Sequence, residues 1–450
     1  MRMKFNKSSQ LVLVSAASLI VASLLTACET LTVDFVFVTS SKAAGADNYG
    51  EIDVMEVNSE SGAMRQIPTS PFPSAGRNPV AEAVSSDNTN LYVVNQDDNS
   101  IVQFIIGNDG KLYPQNTVNT PGIYPLAITV NGSNLFVVDT YQPLPTCSTA
   151  APCSGSIAVY PIAASSSNPP SDTLGTPIAN GSVFYWPLCR TGYASATNAT
   201  ICNPNGTGAA DIIEPTGINV LTNGATKVSY AYVAAYDATA NANYIFGFSV
   251  ASGGALSPLN GGAPLAGGAF AQGTCSNAFL NAPFELGTCP SVLASDAAGS
   301  YLYVTDATVG KVHAYAIASG ALTEVGGSPF PAGNQPSAIV VDPIYSYVYV
   351  TNAQDSTVSA YSASSGVLTN LGTYATGTEP VAVGIDPSTN HFLFTANYLY
   401  NGINGTVSGF EMNSTSGTLV NSQDSPYTID AYPTAVAAIP HGVTQSSSQK

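Results

Sequence analysis

The chain reads as an all-β ring of seven four-stranded antiparallel blades, and three observations carry that reading. A short apolar strand recurs seven times and ends in a polar residue in every copy but one, where Ala235 breaks the series. Pro-led strands of similar length recur seven times as well. The first apolar strand has no Pro-led strand before it and the last Pro-led strand has no apolar one after it, so the two ends of the chain complete one blade. Closure of that kind removes open sheet edges.

The apolar copies begin at Phe35, Asn90, Asn134, Tyr230, Tyr301, Tyr347 and Phe392, and end in the caps Ser40, Asn95, Asp139, Ala235, Asp306, Asn352 and Asn397. The leading prolines are Pro79, Pro125, Pro215, Pro290, Pro336, Pro380 and Pro433. Where no insertion intervenes they are spaced by about 45 residues, the length of one four-stranded propeller blade. In the cleanest unit the spacing predicts strand A over Ser337–Val341, B over Tyr347–Thr351, C over Thr357–Tyr361 and D over Leu368–Tyr374. Asp342-Pro343 and Ser364-Ser365-Gly366 punctuate it as turns. The propeller is predicted over residues 33–440 and a disordered tail over 441–450.

Residues 1–27 read as a lipoprotein signal peptide: basic Arg2, Lys4 and Lys7, an apolar run from Leu11 to Leu25, then Leu25-Thr26-Ala27-Cys28. The run is too short for a spanning helix with the usual flanks. Cys28 is the expected lipidation site, 28–32 a lipidated tether, and Glu29 after it favours the outer membrane. The only expected membrane contact is through that anchor.

The chain has 28 acidic against 11 basic residues, three of the basic ones in the leader, and only 9% of it is charged. Such an acidic chain does not neutralise phosphates, which excludes nucleic acid as a partner. Stability must come from β-pairing and apolar burial. Beyond Cys28 six Cys remain, in the close pairs Cys147 and Cys153, Cys189 and Cys202, and Cys275 and Cys289. Local closure costs the least loop entropy and favours those three bridges in an oxidising compartment. No CxxC spacing supports zinc, and no metal or other cofactor is expected. Serine-hydrolase, zinc-peptidase and nucleotide-binding motifs are missing from the sequence.

Copies such as Tyr349-Val350-Thr351-Asn352 resemble the YVTN-type propeller repeat, and residues 33–440 are similar to the seven-bladed lactonase family that includes bacterial 6-phosphogluconolactonase. The resemblance implies the propeller and a lactone hydrolase centred on its axis. Family enzymes often carry His directly after the strand A Pro. Here that position holds Val80, Leu126, Thr216, Ser291, Ser337, Val381 and Thr434.

In a four-stranded meander the B-to-C and D-to-A links share one face, and the long excursions Ser41–Gly50, Tyr141–Gly155, Ala163–Glu214, Ala266–Thr288 and Asn401–Gly405 are all expected there. Loops on a rigid scaffold carry function. The mouth of the axial channel is expected to gather Asn95, Tyr124, Asp139, Glu214, Asp306, Gln335, Asn352, Asn397 and Tyr432 as ligand-binding residues. Glu82 breaks the repeat, standing where the other units place Ile128, Ile218, Leu293, Ile339, Val383 and Val436. A carboxylate there is expected to be desolvated, either as an acid/base group or as half of an ion pair with Arg77. The leading functional expectation is a monomeric, lipid-anchored module binding a polar small molecule, glycan or partner protein. The alternative is a lactonase-like hydrolase using Arg77, Glu82 or Glu379.

Overall fold

The computed structural model describes residues 32–41, 49–143, 153–163, 173–189, 212–237, 242–268, 292–385, 392–400, 404–429 and 431–441. The expected leader, most of the tether and nearly all of the tail lie outside them. The described strands form seven antiparallel sheets, each ordered A-B-C-D. Blade 1 has strands Pro79–Val84, Asn90–Asn95, Ser100–Ile106 and Leu112–Asn119; blade 5 has Pro336–Val341, Tyr347–Asn352, Thr357–Ser364 and Val367–Ala375. The A strands of blades 2, 3, 4 and 6 are Ile123–Asn131, Ile213–Thr222, Leu293–Ser295 and Thr378–Ile385.

Blade 7 takes its A strand from the C-terminus, Tyr432–Pro440, and its B strand from the N-terminus, Thr32–Ser41. The two pair antiparallel, Val36 opposite Ala438 and Val38 opposite Val436. Every A strand also touches the A strands of both neighbouring blades, so the inner wall is a closed ring.

The B strands are buried along nearly their whole length because each lies mid-sheet with a blade on either side. Seven apolar clusters fill the seven seams. Between blades 7 and 1, for example, Phe35, Phe37 and Val54 pack on Leu91, Val93 and Phe104. Alternation explains the choice of residues, since successive B-strand side chains enter opposite seams and both are dry.

Strand D is short and interrupted in blades 7, 4 and 6. A Ser-Pro step separates Met64–Gln66 from Phe72–Arg77, Ala321–Glu324 from Phe330–Pro331, and Leu419–Asn421 from Tyr427–Thr428. Pro cannot donate to a ladder. The preceding serine fills the gap: the hydroxyls of Ser70, Ser328 and Ser425 accept the backbone N–H groups of Val54, Ala314 and Gly409 at 2.8, 3.0 and 3.0 Å.

One expectation needs correction. Thr173–Leu174 pairs with the end of the blade 2 C strand, and Trp186–Pro187 pairs with its start. The Ala163–Glu214 excursion therefore contains the outer edge of that blade. Ala163 and Thr173 lie at the strand ends opposite the long-loop face, whereas the Leu188 N–H donates to the Gly155 carbonyl on the long-loop face. Trp186 is buried in the seam between blades 2 and 3 and anchors this edge to the ring.

On the long-loop face, glycines at the start of C strands meet the leading proline of the next blade. A Cβ on Gly405 would lie 2.0 Å from Pro433 Cδ and 2.6 Å from the Asn397 carbonyl oxygen. Gly405→Ala is expected to cost about 1–3 kcal/mol through overpacking. A denaturant midpoint equal to wild type would show that this seam is not tight.

Candidate functional site: the axial mouth on the long-loop face

Four of the described D-to-A crossings are built on a Gly-x-x-Pro frame, Gly76–Pro79, Gly122–Pro125, Gly333–Pro336 and Gly377–Pro380, whereas Ile212 and Asp430 stand three residues before Pro215 and Pro433. The glycine passes over the cap of its own blade's B strand so closely that a Cβ on Gly122 would lie 2.3 Å from Asp139 Cβ. The residue before proline takes a left-handed backbone, φ 51° at Asn78, 55° at Tyr124, 55° at Gln335 and 58° at Glu379. A bulge follows, leaving each proline opposite the cap, as with Pro79 and Asn95, Pro125 and Asp139, Pro336 and Asn352, and Pro380 and Asn397. Bulges re-aim side chains at sheet ends, and here one sets the pre-proline residue out of the regular alternation of its strand.

The caps are fully enclosed. Asn397 Nδ2 donates to Thr406 Oγ1 (3.1 Å) and Ser408 Oγ (2.9 Å), and Asn352 Nδ2 donates to Thr357 Oγ1 (3.1 Å) and Ser359 Oγ (2.9 Å). Asp139 accepts the Gly122 N–H at 3.2 Å, and Asp306 accepts that of Thr308 at 3.0 Å. Asn95 Nδ2 points to the Ser74 carbonyl at 3.5 Å. Asn95, Asp139, Asp306, Asn352 and Asn397 thus close their own blades instead of lining the mouth, because the crossing glycine covers each or the adjoining turn consumes it. Burial pushes the Asp139 carboxyl up to about 7.

The pre-proline residues stand at the starts of the A strands, the inner strands of the ring. Tyr124, Gln335, Glu379 and Tyr432 are half-buried, and Glu214 is buried. Strand pairing sets Glu214 opposite Tyr236, and the same position in blade 6 sets Glu379 beside Tyr398. Tyr398 and Tyr432 meet at a tilt of 31° with centroids 5.2 Å apart, and Tyr124 meets Tyr141 edge-on at 6.2 Å. Burial raises the Glu379 carboxyl above its ordinary range. Burial first, then the neighbouring Tyr432 and Glu379, pushes the Tyr398 phenol up to about 12. Burial, with Glu214 and Tyr124 adding, does the same for Tyr141. These phenols remain protonated donors at neutral pH.

Glu82 lies in the seam between blades 1 and 7. Its Oε2 receives the Thr39 hydroxyl, while Oε1 is enclosed without a hydrogen-bond partner. Desolvation pushes its carboxyl up to about 8, against the Thr39 hydroxyl and the Ala437 N–H. Arg77 is not its partner: the guanidinium binds Asp98, Nη2 to Oδ1 at 2.6 Å, because the B-to-C turn brings Asp98 across the crossing. Asn334 and Asp355 repeat this contact in blade 5, 2.7 Å from the Asn334 N–H to Asp355 Oδ2. The expected Arg77–Glu82 ion pair is thus replaced by a turn clasp.

Where the family often has His, the hydroxyls of Ser337 and Thr434 donate to the Pro380 and Pro79 carbonyls of the next blade at 2.6 and 3.0 Å. His313 is buried in a C strand, its Nδ1 2.9 Å from Glu324 Oε1, away from the axis. Cys153 and Cys189 are each disulfide-bonded. Cys28, Cys147, Cys202, Cys275 and Cys289 lie outside the described residues, so the pairing is not described. Among the described residues no group of His, Cys, Asp and Glu has the arrangement of a metal site. Sequence reasoning missed the Tyr141, Tyr236 and Tyr398 phenols, although each stands one or two residues past a B-strand cap.

A closed seven-bladed propeller is the architecture of the family called Lactonase, 7-bladed beta-propeller, whose model matches residues 38–174 and 297–436. The chain belongs to that family. Among solved structures it is similar to a protein of Bacteroides fragilis NCTC 9343 described as a candidate 6-phosphogluconolactonase, with TM-score 0.58 and 19% identity over 91% of this chain and 99% of that one. It is also similar to the periplasmic gluconolactonase PpgL of Pseudomonas aeruginosa, with TM-score 0.56 and 17% identity over 90% and 99% of the two chains. Among curated proteins none matches.

Two outcomes follow from this geometry. Asn397→Ala is expected to lower stability by about 1–3 kcal/mol through its lost buried hydrogen bonds, read as a reduced denaturant midpoint; an unchanged midpoint would free Asn397 for another role. Glu82 binds its proton more tightly folded than unfolded, so stability should fall as pH rises from about 4.5 to about 8. Glu82→Gln should flatten that slope in thermal melts, and an unaltered slope would contradict the buried neutral carboxyl.

Proposed function

We propose that this chain is an exported, lipid-anchored lactone hydrolase acting on uncharged sugar lactones at the axial mouth. Family membership supports the reaction class, and the Glu379, Tyr398 and Tyr432 cluster is the observation that carries it to particular residues. Lactone hydrolysis needs a base for water and donors for the tetrahedral oxyanion. Glu379 is the base: half-buried, with a carboxyl raised toward the working pH. The Tyr398 and Tyr432 phenols supply hydrogen-bond donors beside it. Glu82 holds the seam beneath.

A phosphorylated lactone fits poorly. Arg77 is committed to Asp98, and the mouth residues Glu214 and Glu379 are acidic. The fold shared with a periplasmic gluconolactonase agrees with export, as do the leader and the disulfide-bonded Cys153 and Cys189. A second reading, a binding module for a neutral glycan, draws on that same commitment of Arg77 and on the hydroxyls standing where the family often has His.

Proton release from glucono-1,5-lactone and from its 6-phosphate should decide. The neutral lactone should be turned over faster, and Glu379→Gln should lower kcat by about 10²-fold or more with the fold intact by circular dichroism. No turnover of either lactone above the uncatalysed rate, with retained glycan binding, would establish the second reading.

A further inference from the structure

Both described chain ends leave the ring on the face opposite the axial mouth. Strand B of blade 7 starts at Thr32 beside Asn58, and its strand A ends at Pro440 beside Asp34, where the A-to-B and C-to-D turns lie. Cys28 stands four residues before Thr32. Fully extended, that link spans at most about 14 Å.

The same turn face collects exposed apolar side chains. Among the described residues Tyr113, Val228, Ile344, Tyr345, Val367 and Val420 are the exposed large hydrophobics in or beside its turns, Ile344 at 49%, Tyr345 at 44% and Val420 at 64%. Tyr49 and Phe184 lie elsewhere. Four of the six belong to blades 5 and 6, next to the blade that carries the N-terminus. Tyr345 lies 6.3 Å from Tyr347, whose hydroxyl donates to the Ser414 carbonyl, so the blade 5 turn is tied to the C-to-D turn of blade 6.

The acid of this turn points inward. Asp342 is buried and its Oδ1 accepts the N–H groups of Ile344 (2.7 Å) and Tyr345 (3.1 Å), which leaves the apolar pair at the tip. Arg65 and Lys111 also lie on this face, paired with Glu56 and Asp109, as does Lys227.

The geometry points to a bilayer as the surface covered here: the turn face of blades 5 and 6 lies on the membrane that receives the Cys28 acyl chains, and the mouth opens away from it. A soluble partner would not need the patch beside the tether, whereas a tether this short forces that face against lipid. Exposed aliphatic and Tyr side chains suit the interfacial region. A blade strand of about seven residues spans roughly 23 Å, which sets the standoff of the mouth. This orientation rests on the lipid anchor of the proposed function.

The test uses the full-length acylated protein in phosphatidylethanolamine and phosphatidylglycerol vesicles with brominated acyl chains. Trp186 is the one native Trp and is buried, so it gives a constant background. Emission of Ile344→Trp should be quenched about two-fold or more beyond that of Tyr49→Trp on the opposite face. Val420→Trp serves equally if Ile344→Trp fails to fold. Equal quenching of the two faces in acylated, vesicle-bound protein overturns the orientation alone. A Cys28 without acyl mass, in protein that does not float with vesicles, overturns the anchor and the orientation together.

Discussion

Ring closure through the ladder between Thr32–Ser41 and Tyr432–Pro440 is the constraint on which the rest of the molecule depends. Without it, blade 7 would split into two pieces with a bare edge each, and the seams flanking it would lose part of a wall. A chain with so few charged residues has little else to hold it together. The free energy of the fold resides in seven dry seams, each of which exists only when both neighbours are in place, so assembly is cooperative around the circle.

The mouth inherits its geometry from that closure. Gly-x-x-Pro crossings recur because a glycine must pass over an enclosed cap, and a left-handed residue must then turn into a proline whose φ is fixed. The side chain before the proline is the one position in this device that packing does not dictate. In blades 2, 3, 6 and 7 that freedom is taken by Tyr124, Glu214, Glu379 and Tyr432. A repeat that is uniform for structural reasons thereby yields a site that differs from blade to blade.

Periodicity made the architecture legible. Seven prolines and seven apolar strands fixed blade number, strand order and the shared blade, because a buried mid-sheet strand has few alternatives to Val, Tyr, Phe and Leu. The site was less legible. Asn and Asp at strand ends looked like ligands because a polar residue beside a mouth and one sealed under a crossing glycine have the same spelling; only the glycine three residues before each proline separated them. Arg77 was set against Glu82 on sequence proximity, but the turn clasp that recurs as Asn334 with Asp355 claimed it for Asp98. Tyr398 escaped notice because its role depends on a cross-strand neighbour, Glu379, that only the bulged register brings beside it.

The interrupted outer strands of blades 4, 6 and 7 carry a consequence for behaviour in a crowd. A straight rim would offer each neighbouring molecule a row of free amide groups with which to extend a sheet. The Ser-Pro step breaks that rim and caps one amide of the strand inside it with a hydroxyl, so at these three blades a neighbouring molecule finds no continuous seam to zip. The edges left for pairing between molecules are then concentrated on blades with unbroken outer strands, Leu112–Asn119 and Val367–Ala375.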